Sequence, residues 1–354
     1  MTTTKHSRRF IITGQSLMRH DLRNGQDPNF LSVVEGVRSA DIAFANFEGA
    51  VRPPDAELPS EYHPSDAVTL DCLKWMGFNL LSLANNHAFE AAEAGIQYTE
   101  ELARQKGFTT AGTGATLEEA SRAGVLEISG TKIALIAMDT ANCQTEKAVA
   151  GPGGPSGINP LRAECIEGGG FRLNPEDLSR NLMAIEQAAS RVDCLFVSLH
   201  EHFWPEGGRS EWGTPCSWKR EFSRRCIDAG ACAVICHGIP RACPVEIYRD
   251  RPIFHSMGNF IFHSRMDCWD EQMIWEGIVV TGCLAESRIR DLRILPIILA
   301  DEKGRADVPF VDRWFPTLAG GAAAERILDR IFTESEALGT EMQRSGDTYS
   351  IMLS

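Results

Sequence analysis

The amino-acid sequence predicts an α/β protein built on two sheets, and three observations carry that prediction. Short apolar strands alternate with helical segments through most of the chain, which is typical of helices packed on a largely parallel sheet. Later strands are joined by short turns, which indicates a second, more antiparallel sheet. The chain has 354 residues, 43% of them hydrophobic and 23% charged, so it can bury a large core.

The elements follow from apolar runs and helical periodicity, taken in chain order. We expect strands at 9–13, 41–46, 79–83, 132–138, 194–200 and 233–237, then at 245–248, 252–255, 275–281 and 289–299. We expect helices at 29–38, 67–76, 91–105, 175–190, 219–229 and 322–336. Pro175, Glu176 and Asp177 favour the start of their helix, since proline suits the first turn and carboxylates suit the positive helix end.

We expect one domain over residues 1–300 and a C-terminal extension over residues 301–354 with one helix packed on that domain. Two loop excursions interrupt the domain, at 151–171, rich in glycine and proline, and at 203–218, with three tryptophans. Loops of this length are usually lids or binding loops. A surface excursion pinned down by its tryptophans is the alternative, since Trp also anchors packing.

Composition argues against several classes of function. The formal net charge is −13, so phosphate backbones and anionic lipid surfaces repel the chain. No apolar run reaches the roughly 18 residues that span a bilayer, and the polar, basic start lacks the apolar core of a secretory signal. The 11 cysteines include no C-x2-C pair, which argues against a thiolate zinc site. Their odd number, in a chain too long to need disulfides, leads us to expect a reducing cytoplasm. We therefore expect no nucleic-acid partner and no membrane anchor, and the oligomeric state stays open.

Polar residues follow five of the expected strands, at the point where each strand ends. Because the carboxyl ends of strands in an open α/β sheet line a common crevice, these side chains should converge. Carboxylate, amide and imidazole groups brought together are suitable ligands for Mn, Fe or Zn. The five clusters are Gly14–Gln15, Asn46–Gly49, Asn85–His87, His200–His202 and His237–Gly238.

The sequence resembles the CapA-like proteins, which are named for poly-γ-glutamate capsule synthesis and share the metallophosphatase fold. The resemblance runs from about Arg9 to His263 and implies a four-layer α/β/β/α sandwich of two mixed sheets flanked by helices. It rests on Gly14–Gln15, Asn46–Glu48, Leu83–His87, Gly112–Gly114, Ser198–His200, His237–Gly238 and Ile253–Phe262.

The resemblance also implies roles for individual residues. Glu48 would take the bridging-carboxylate position of a two-metal site. His87 would be the acid/base histidine, oriented by Glu90, where the family usually has aspartate. The remaining ligands of the second metal would be Asn86, His200 and His237.

Two departures from the family pattern remove ligands of the first metal, because Gln15 stands where the family has aspartate and Pro240 where it usually has histidine. The surviving set fits one divalent ion, Mn, Fe or Zn. His202, on the same side of an extended strand as His200, could be a ligand or a second base. Alternatively, it lies on the loop and contacts only substrate or solvent. Substrate contacts are expected from Gln15, Arg241, Asn259 and Trp204, although Arg241 could equally be a surface arginine.

A one-metal site of this kind leaves four functions open. We expect metal-assisted hydrolysis of an amide bond in a small peptide or amino-acid polymer. The first alternative is Cα epimerisation of a terminal residue, as in the lasso-peptide epimerase among the family's wider relatives, with His87 and His202 as the two bases. Phosphodiester hydrolysis is the second, and it would require two metals about 3.5–4 Å apart. A non-enzymatic role in a polymer-synthesis machine is the third.

Overall fold

A computed structural model describes residues 7–56, 64–140, 156–166, 170–202, 212–264, 271–301 and 314–353 of the chain. The helices are α1 (Pro28–Arg38), α2 (Val68–Met76), α3 (Ala92–Gln105), α4 (Leu117–Ala120), α5 (Pro175–Ala189), α6 (Ser217–Asp228) and α7 (Gly321–Glu336), with a 3-10 helix at Gln272–Trp275. The strands are β1 (Arg8–Leu17), β2 (Ile42–Phe47), β3 (Leu80–Ser82), β4 (Thr109–Ala111), β5 (Thr113–Gly114), β6 (Gly124–Ile128), β7 (Thr131–Asp139), β8 (Gly157–Ile158), β9 (Ala163–Cys165), β10 (Phe171–Leu173), β11 (Cys194–His200), β12 (Ala233–His237), β13 (Val245–Tyr248), β14 (Arg251–Phe254), β15 (Asn259–Phe262), β16 (Glu276–Ala285), β17 (Arg288–Asp301), β18 (Trp314–Leu318), β19 (Met342–Ser345) and β20 (Thr348–Ile351).

Two mixed sheets hold sixteen of these strands. The large sheet has the order β19-β20-β17-β16-β1-β2-β3-β4, with β15 beside β1 and β18 beside β17. The small sheet has the order β13-β14-β12-β11-β7-β6. Strands β1 to β4 run parallel, as do β7, β11, β12 and β14, so both sheets have a parallel centre and antiparallel flanks.

The two sheets pack face to face around a shared core. Phe10 and Ile12 of β1 belong to the same buried cluster as Phe196 of β11, and the Phe10 and Phe196 rings meet edge to face at 6.0 Å. The alternate residue Ile11 packs outward with α1 and α2, and Val197 packs outward with α5 and α6. Because strand side chains alternate between faces, this partition gives four layers, and the predicted α/β/β/α sandwich is confirmed.

Local chemistry accounts for the helix boundaries. The Asn174 side chain caps α5 by accepting hydrogen bonds from the backbone N–H groups of Glu176 and Asp177, and Pro175 occupies the first turn. The predicted start of α5 at Pro175 is therefore confirmed. At the other kind of boundary, Gly77 ends α2 in the left-handed conformation, at φ 105°, which glycine adopts without steric cost.

The structure has the two main sheets that the sequence predicts, together with the two-stranded sheets β9–β10 and β5–β8, but the prediction is wrong in how it divides the strands between the main sheets. Strands β13 and β14 join the small sheet through β12, whereas β16 and β17 join the large sheet through β1. The late strands thus extend both existing sheets and form no separate antiparallel one. Besides the expected helix, the residues after 313 supply β18, β19 and β20 to the large sheet, and α7 packs into the shared core.

Parts of the predicted loop excursions lie outside the described residues, namely 151–155, 167–169 and 203–211, which include Trp204. The described remainder contains β8, β9, the start of β10 and the first two residues of α6. In the described parts of the chain we find no helix with the length and hydropathy of a bilayer span.

Candidate metal centre

The candidate site lies where the side chains that face the space between the two sheets change from apolar to polar. In β2 the inward-facing residue after Phe44 is Asn46, and the last inward-facing residues of β11 and β12 are His200 and His237. The Asn46 side-chain amide lies 3.3 Å from His200 Nδ1, a contact that joins the large sheet to the small one. The polar strand ends predicted to converge therefore meet across the gap between the sheets.

Three potential ligand side chains come together here, since one ligand atom each of Glu48, His200 and His202 lies within 4.8 Å of the others. The Nε2 atoms of His200 and His202 are 3.0 Å apart, and their rings stack with centroids 5.0 Å apart. Glu48 Oε1 lies 3.8 Å from His200 Nε2, and Asn86 Oδ1 lies 2.9 Å from the same nitrogen. Three of the four predicted ligands thus surround one point, and His202 lies beside them.

Burial controls the charge of these groups. It lowers the pKa of His200 well below its ordinary value, helped by the neighbouring histidines, and it lowers the pKa of His202 to about 3. Burial also raises the pKa of Glu48 to about 7, although the positive charge of His87 opposes this shift.

The donor set fits a divalent ion. Neutral imidazoles offer lone pairs, and a carboxylate with two imidazoles suits Mn, Fe or Zn. Glu48 Oε2 is buried and has no hydrogen-bond partner among the described residues, which is the condition expected of an oxygen reserved for a ligand. The residues present at this point could therefore hold one metal ion.

His237 pairs with His200 in the register of β11 and β12 but lies outside the three-residue group. Its ring stacks on Phe44 with centroids 5.8 Å apart. Both ring nitrogens are buried without a hydrogen-bond partner in the described part of the chain, and burial lowers the pKa of the ring to about 3. Such a neutral, unpartnered imidazole is costly unless it binds something, so its ligand role stays a prediction.

The predicted acid/base pair is formed. His87 Nδ1 lies 2.6 Å from Glu90 Oε1, and His87 Nε2 faces the site, 3.9 Å from Glu48 Oε1. Burial lowers the pKa of His87, but the hydrogen bond to Glu90 and the charges of Glu90 and Glu48 together raise it above its ordinary value. The longer glutamate, where the family has aspartate, therefore reaches the histidine.

Asp139, which was not among the predicted site residues, ends β7 and pairs in register with His200. Its side chain is buried, and its charge raises the pKa of both Glu48 and His87. Asp139 directly follows the strand predicted at 132–138. The rule that identified the other clusters, polar residues at strand ends, would have found it too.

The predicted substrate contacts are engaged within the protein. Gln15 Oε1 accepts a hydrogen bond from the Gly238 backbone N–H at 2.9 Å. Arg241 is only 5% exposed and forms an ion pair with Glu334 of α7, so it is not a surface arginine and its charge is already neutralised. Asn259 donates to the carbonyl groups of Pro240 and Ile274, and Trp204 lies outside the described residues. The substrate roles of these four residues stay predictions.

The backbone around Glu201 is held from two sides. Its N–H donates to the His237 carbonyl at 3.0 Å, and its carboxylate accepts from Lys219 Nζ at 2.7 Å, in a pair with both side chains 1% exposed. Gly238 has φ 104°, and a Cβ there would lie 1.9 Å from the Glu201 carbonyl oxygen. These contacts fix the peptide that lies between His200 and His202.

The chain is similar to a family model, to single proteins and to a solved structure. The family model described as bacterial capsule synthesis protein PGA_cap matches residues 9–264. Uncharacterized protein y4sH of Sinorhizobium fredii is 26% identical over 94% of this chain and 90% of its own length. PGA biosynthesis protein CapA of Bacillus subtilis is 26% identical over 71% of this chain and 61% of its own. A solved hypothetical protein from Thermus thermophilus is 13% identical, with a TM-score of 0.42 over 88% of this chain and 98% of that one.

Proposed function

We propose that this chain, which belongs to the PGA_cap family of bacterial capsule synthesis proteins, is a metal-dependent hydrolase of amide bonds in an amino-acid polymer or peptide. One observation supports this proposal most strongly. Ligand atoms of Glu48, His200 and His202 lie within 4.8 Å of one another, beside the hydrogen-bonded pair of His87 and Glu90. The similar protein from Bacillus subtilis is named for PGA biosynthesis, so a glutamate polymer is the first substrate to test.

In this proposal the side chains divide into ligands and an acid/base group. Glu48, Asn86, His200 and His202 would hold one ion, with His237 next to them. A divalent ion, when bound, supplies Lewis acidity toward a carbonyl oxygen. His87, held at Nδ1 by Glu90, would pass a proton from Nε2 to the departing amine nitrogen.

Exposure supports this division of roles. The His87 side chain is 23% exposed, whereas those of Glu48 and His200 are 4% and 0% exposed. A substrate entering from solvent can therefore reach His87 and the half-buried His202, with Glu48 and His200 behind them. A proton donor at the entrance and an electrophile at the back suit an amide carbonyl inserted between them.

The geometry favours hydrolysis over the two other reactions. An epimerase needs a second base, and His202 has a pKa of about 3, with its Nε2 directed at His200. Phosphodiester hydrolysis calls for a second metal, but Gln15 is hydrogen-bonded to Gly238 and Pro240 offers no ligand atom in its side chain.

The first experiment measures metal content. Purified protein loaded with Mn, Fe or Zn and then desalted should retain about one ion per chain by elemental analysis, and Glu48→Gln and His200→Ala should each retain far less. Glu101→Gln, the same change at an exposed position of α3, should retain the wild-type amount. Full retention by both site variants would refute the proposed centre.

The second experiment identifies the reaction. Metal-loaded protein is incubated with poly-γ-glutamate and with a short γ-glutamyl peptide in H₂¹⁸O, and products are analysed by mass spectrometry. Amide hydrolysis yields two fragments with one ¹⁸O in the new carboxylate. Deuterium entering Cα from D₂O without fragmentation would instead establish epimerisation, and turnover of an aryl phosphodiester alone would establish the phosphatase reaction. Either result overturns the proposed function.

A further inference from the structure

A second reactive feature lies at the opposite end of the small sheet. Cys194 begins β11, whose last residue is His200, so about 20 Å of strand separates this feature from the candidate metal centre. A cavity of about 170 Å³ opens here, between the β13–β14 and β16–β17 turns. Its lining includes Cys232 and the three arginines Arg249, Arg251 and Arg288.

Cys232 and Cys194 form a pair of contacting thiols. They are 6% and 1% exposed, and both belong to the buried cluster between the sheets. The Cys232 N–H donates to the carbonyl of Leu195 at 2.7 Å, so Cys232, the residue before β12, lies diagonally across from Cys194, the first residue of β11. Strands about 4.8 Å apart with a rise of about 3.3 Å give a Cα separation of roughly 6 Å, within the range of disulfides.

The surroundings of the two thiols differ. The hydrogen bond from Cys194, supported by the charge of Arg251, lowers the pKa of Cys232 to about 6, whereas burial raises the pKa of Cys194 well above its ordinary value. Burial also raises the pKa of Cys236 to about 12 and of Cys243 to about 11. Cys232 thus borders a cavity whose charged lining residues are three arginines and Asp250, and the protonated thiol of Cys194 lies beneath it.

We propose that Cys232 is a peroxide-reactive thiol and that Cys194 is its resolving partner. The Cys232 sulfur attacks one oxygen of hydrogen peroxide, the O–O bond breaks, and the departing hydroxide takes a proton to become water. The Cys194 sulfur then displaces the hydroxyl of the Cys232 sulfenic acid, and the thiol proton leaves with it as a second water. The net change is oxidation of two thiols to one disulfide and reduction of one peroxide to two waters.

This inference is independent of the proposed hydrolase, since it uses no residue of the metal centre. The test begins with the wild-type protein under native conditions. Alkylation by iodoacetamide from pH 5 to pH 9, read by peptide mass spectrometry, should reach half its maximal rate at a lower pH at Cys232 than at an ordinary thiol. Cys283, which is more exposed and whose pKa burial raises, provides the internal control and should need a higher pH than Cys232. Slower labelling of Cys232 than of Cys283 at pH 7 would overturn the proposal.

The second part of the test follows the products of peroxide. Equimolar hydrogen peroxide should lower the mass by 2 Da and yield a cross-linked peptide joining Cys194 to Cys232, reversed by dithiothreitol. Cys194→Ser should instead leave a sulfenic acid at Cys232 that dimedone traps, and Cys226→Ser, a buried control, should behave as the wild type. A 2 Da loss that persists in Cys232→Ser would refute the assignment, as would a sulfinic acid without any cross-link in the wild type.

Discussion

The buried ion pair between Lys219 and Glu201 makes Lys219→Met strongly destabilising. The two charged atoms are 2.7 Å apart, both side chains are 1% exposed, and Lys219 Nζ also donates to the His255 carbonyl at 3.2 Å. Methionine retains most of the apolar stem, so the main loss is the cation opposite a buried carboxylate. Removing one partner of such a pair costs about 3–5 kcal/mol, and we expect a loss of that size in the free energy of unfolding.

A double-mutant cycle separates the ion pair from simple loss of packing. Adding Glu201→Gln to Lys219→Met removes the orphaned charge, so the double variant should regain about 2 kcal/mol or more relative to Lys219→Met alone. Urea unfolding at pH 7, followed by tryptophan fluorescence, gives these values. Lys74→Met, which removes an exposed hydrogen bond to the Gly107 carbonyl, is the control and should change stability by less than about 1 kcal/mol. A Lys219→Met variant as stable as this control, or strictly additive effects in the cycle, would refute the reasoning.

Three further outcomes follow from the same contacts. Gly238→Ala places a Cβ 1.9 Å from the Glu201 carbonyl at φ 104° and should lower the thermal unfolding midpoint clearly, whereas Gly36→Ala, in an open position of α1, should raise it slightly. Burial raises the pKa of Glu246, but the hydrogen bonds from His255 and two arginines outweigh burial and bring the pKa down to about 2. The stabilisation is therefore present at pH 7 and lost as pH falls from 4.5 toward 2. Glu246→Gln should cost about 2 kcal/mol at pH 7, after allowance for the partly exposed arginines, and the gap to wild type in urea titrations should narrow below pH 4.5. Glu90→Gln should lower kcat for the amide substrate about 10²-fold with little change in KM, because the proton donor loses its orientation; an unchanged kcat would exclude the pair from the reaction.

The sequence predicted those parts of the fold that local patterns determine. The bounds predicted for β11 agree with the structure, because every residue from Cys194 to His200 is buried and the apolar run ends at a polar loop. The family resemblance inferred from the strand-end motifs is confirmed by the match over residues 9–264. The placement of β16 beside β1 could not be predicted, since it depends on pairing between residues about 270 positions apart, such as Ile11 with Thr281.

The candidate site was predictable to a similar degree. Strand-end polarity, together with the resemblance, selected Glu48, Asn86 and His200, which the structure brings together. The sequence pattern could not reveal that the charge of Arg241 is neutralised, because the partner of this arginine, Glu334, lies 93 residues later on α7. Burial, which lowers the pKa of His200 and His202 and raises that of Glu48, likewise becomes visible only when both sheets are in place.

The proposed ligand atoms come from both sheets, Glu48 and Asn86 from loops of one and His200 from a strand of the other. No short peptide of this chain therefore contains the whole proposed set, which comes together only in the folded chain. By linkage, binding of an ion would increase the free energy of unfolding by about 1.4 kcal/mol for each tenfold rise in the free ion concentration above its dissociation constant. Metal supply would then govern how long the molecule survives in the cell as well as whether it can react.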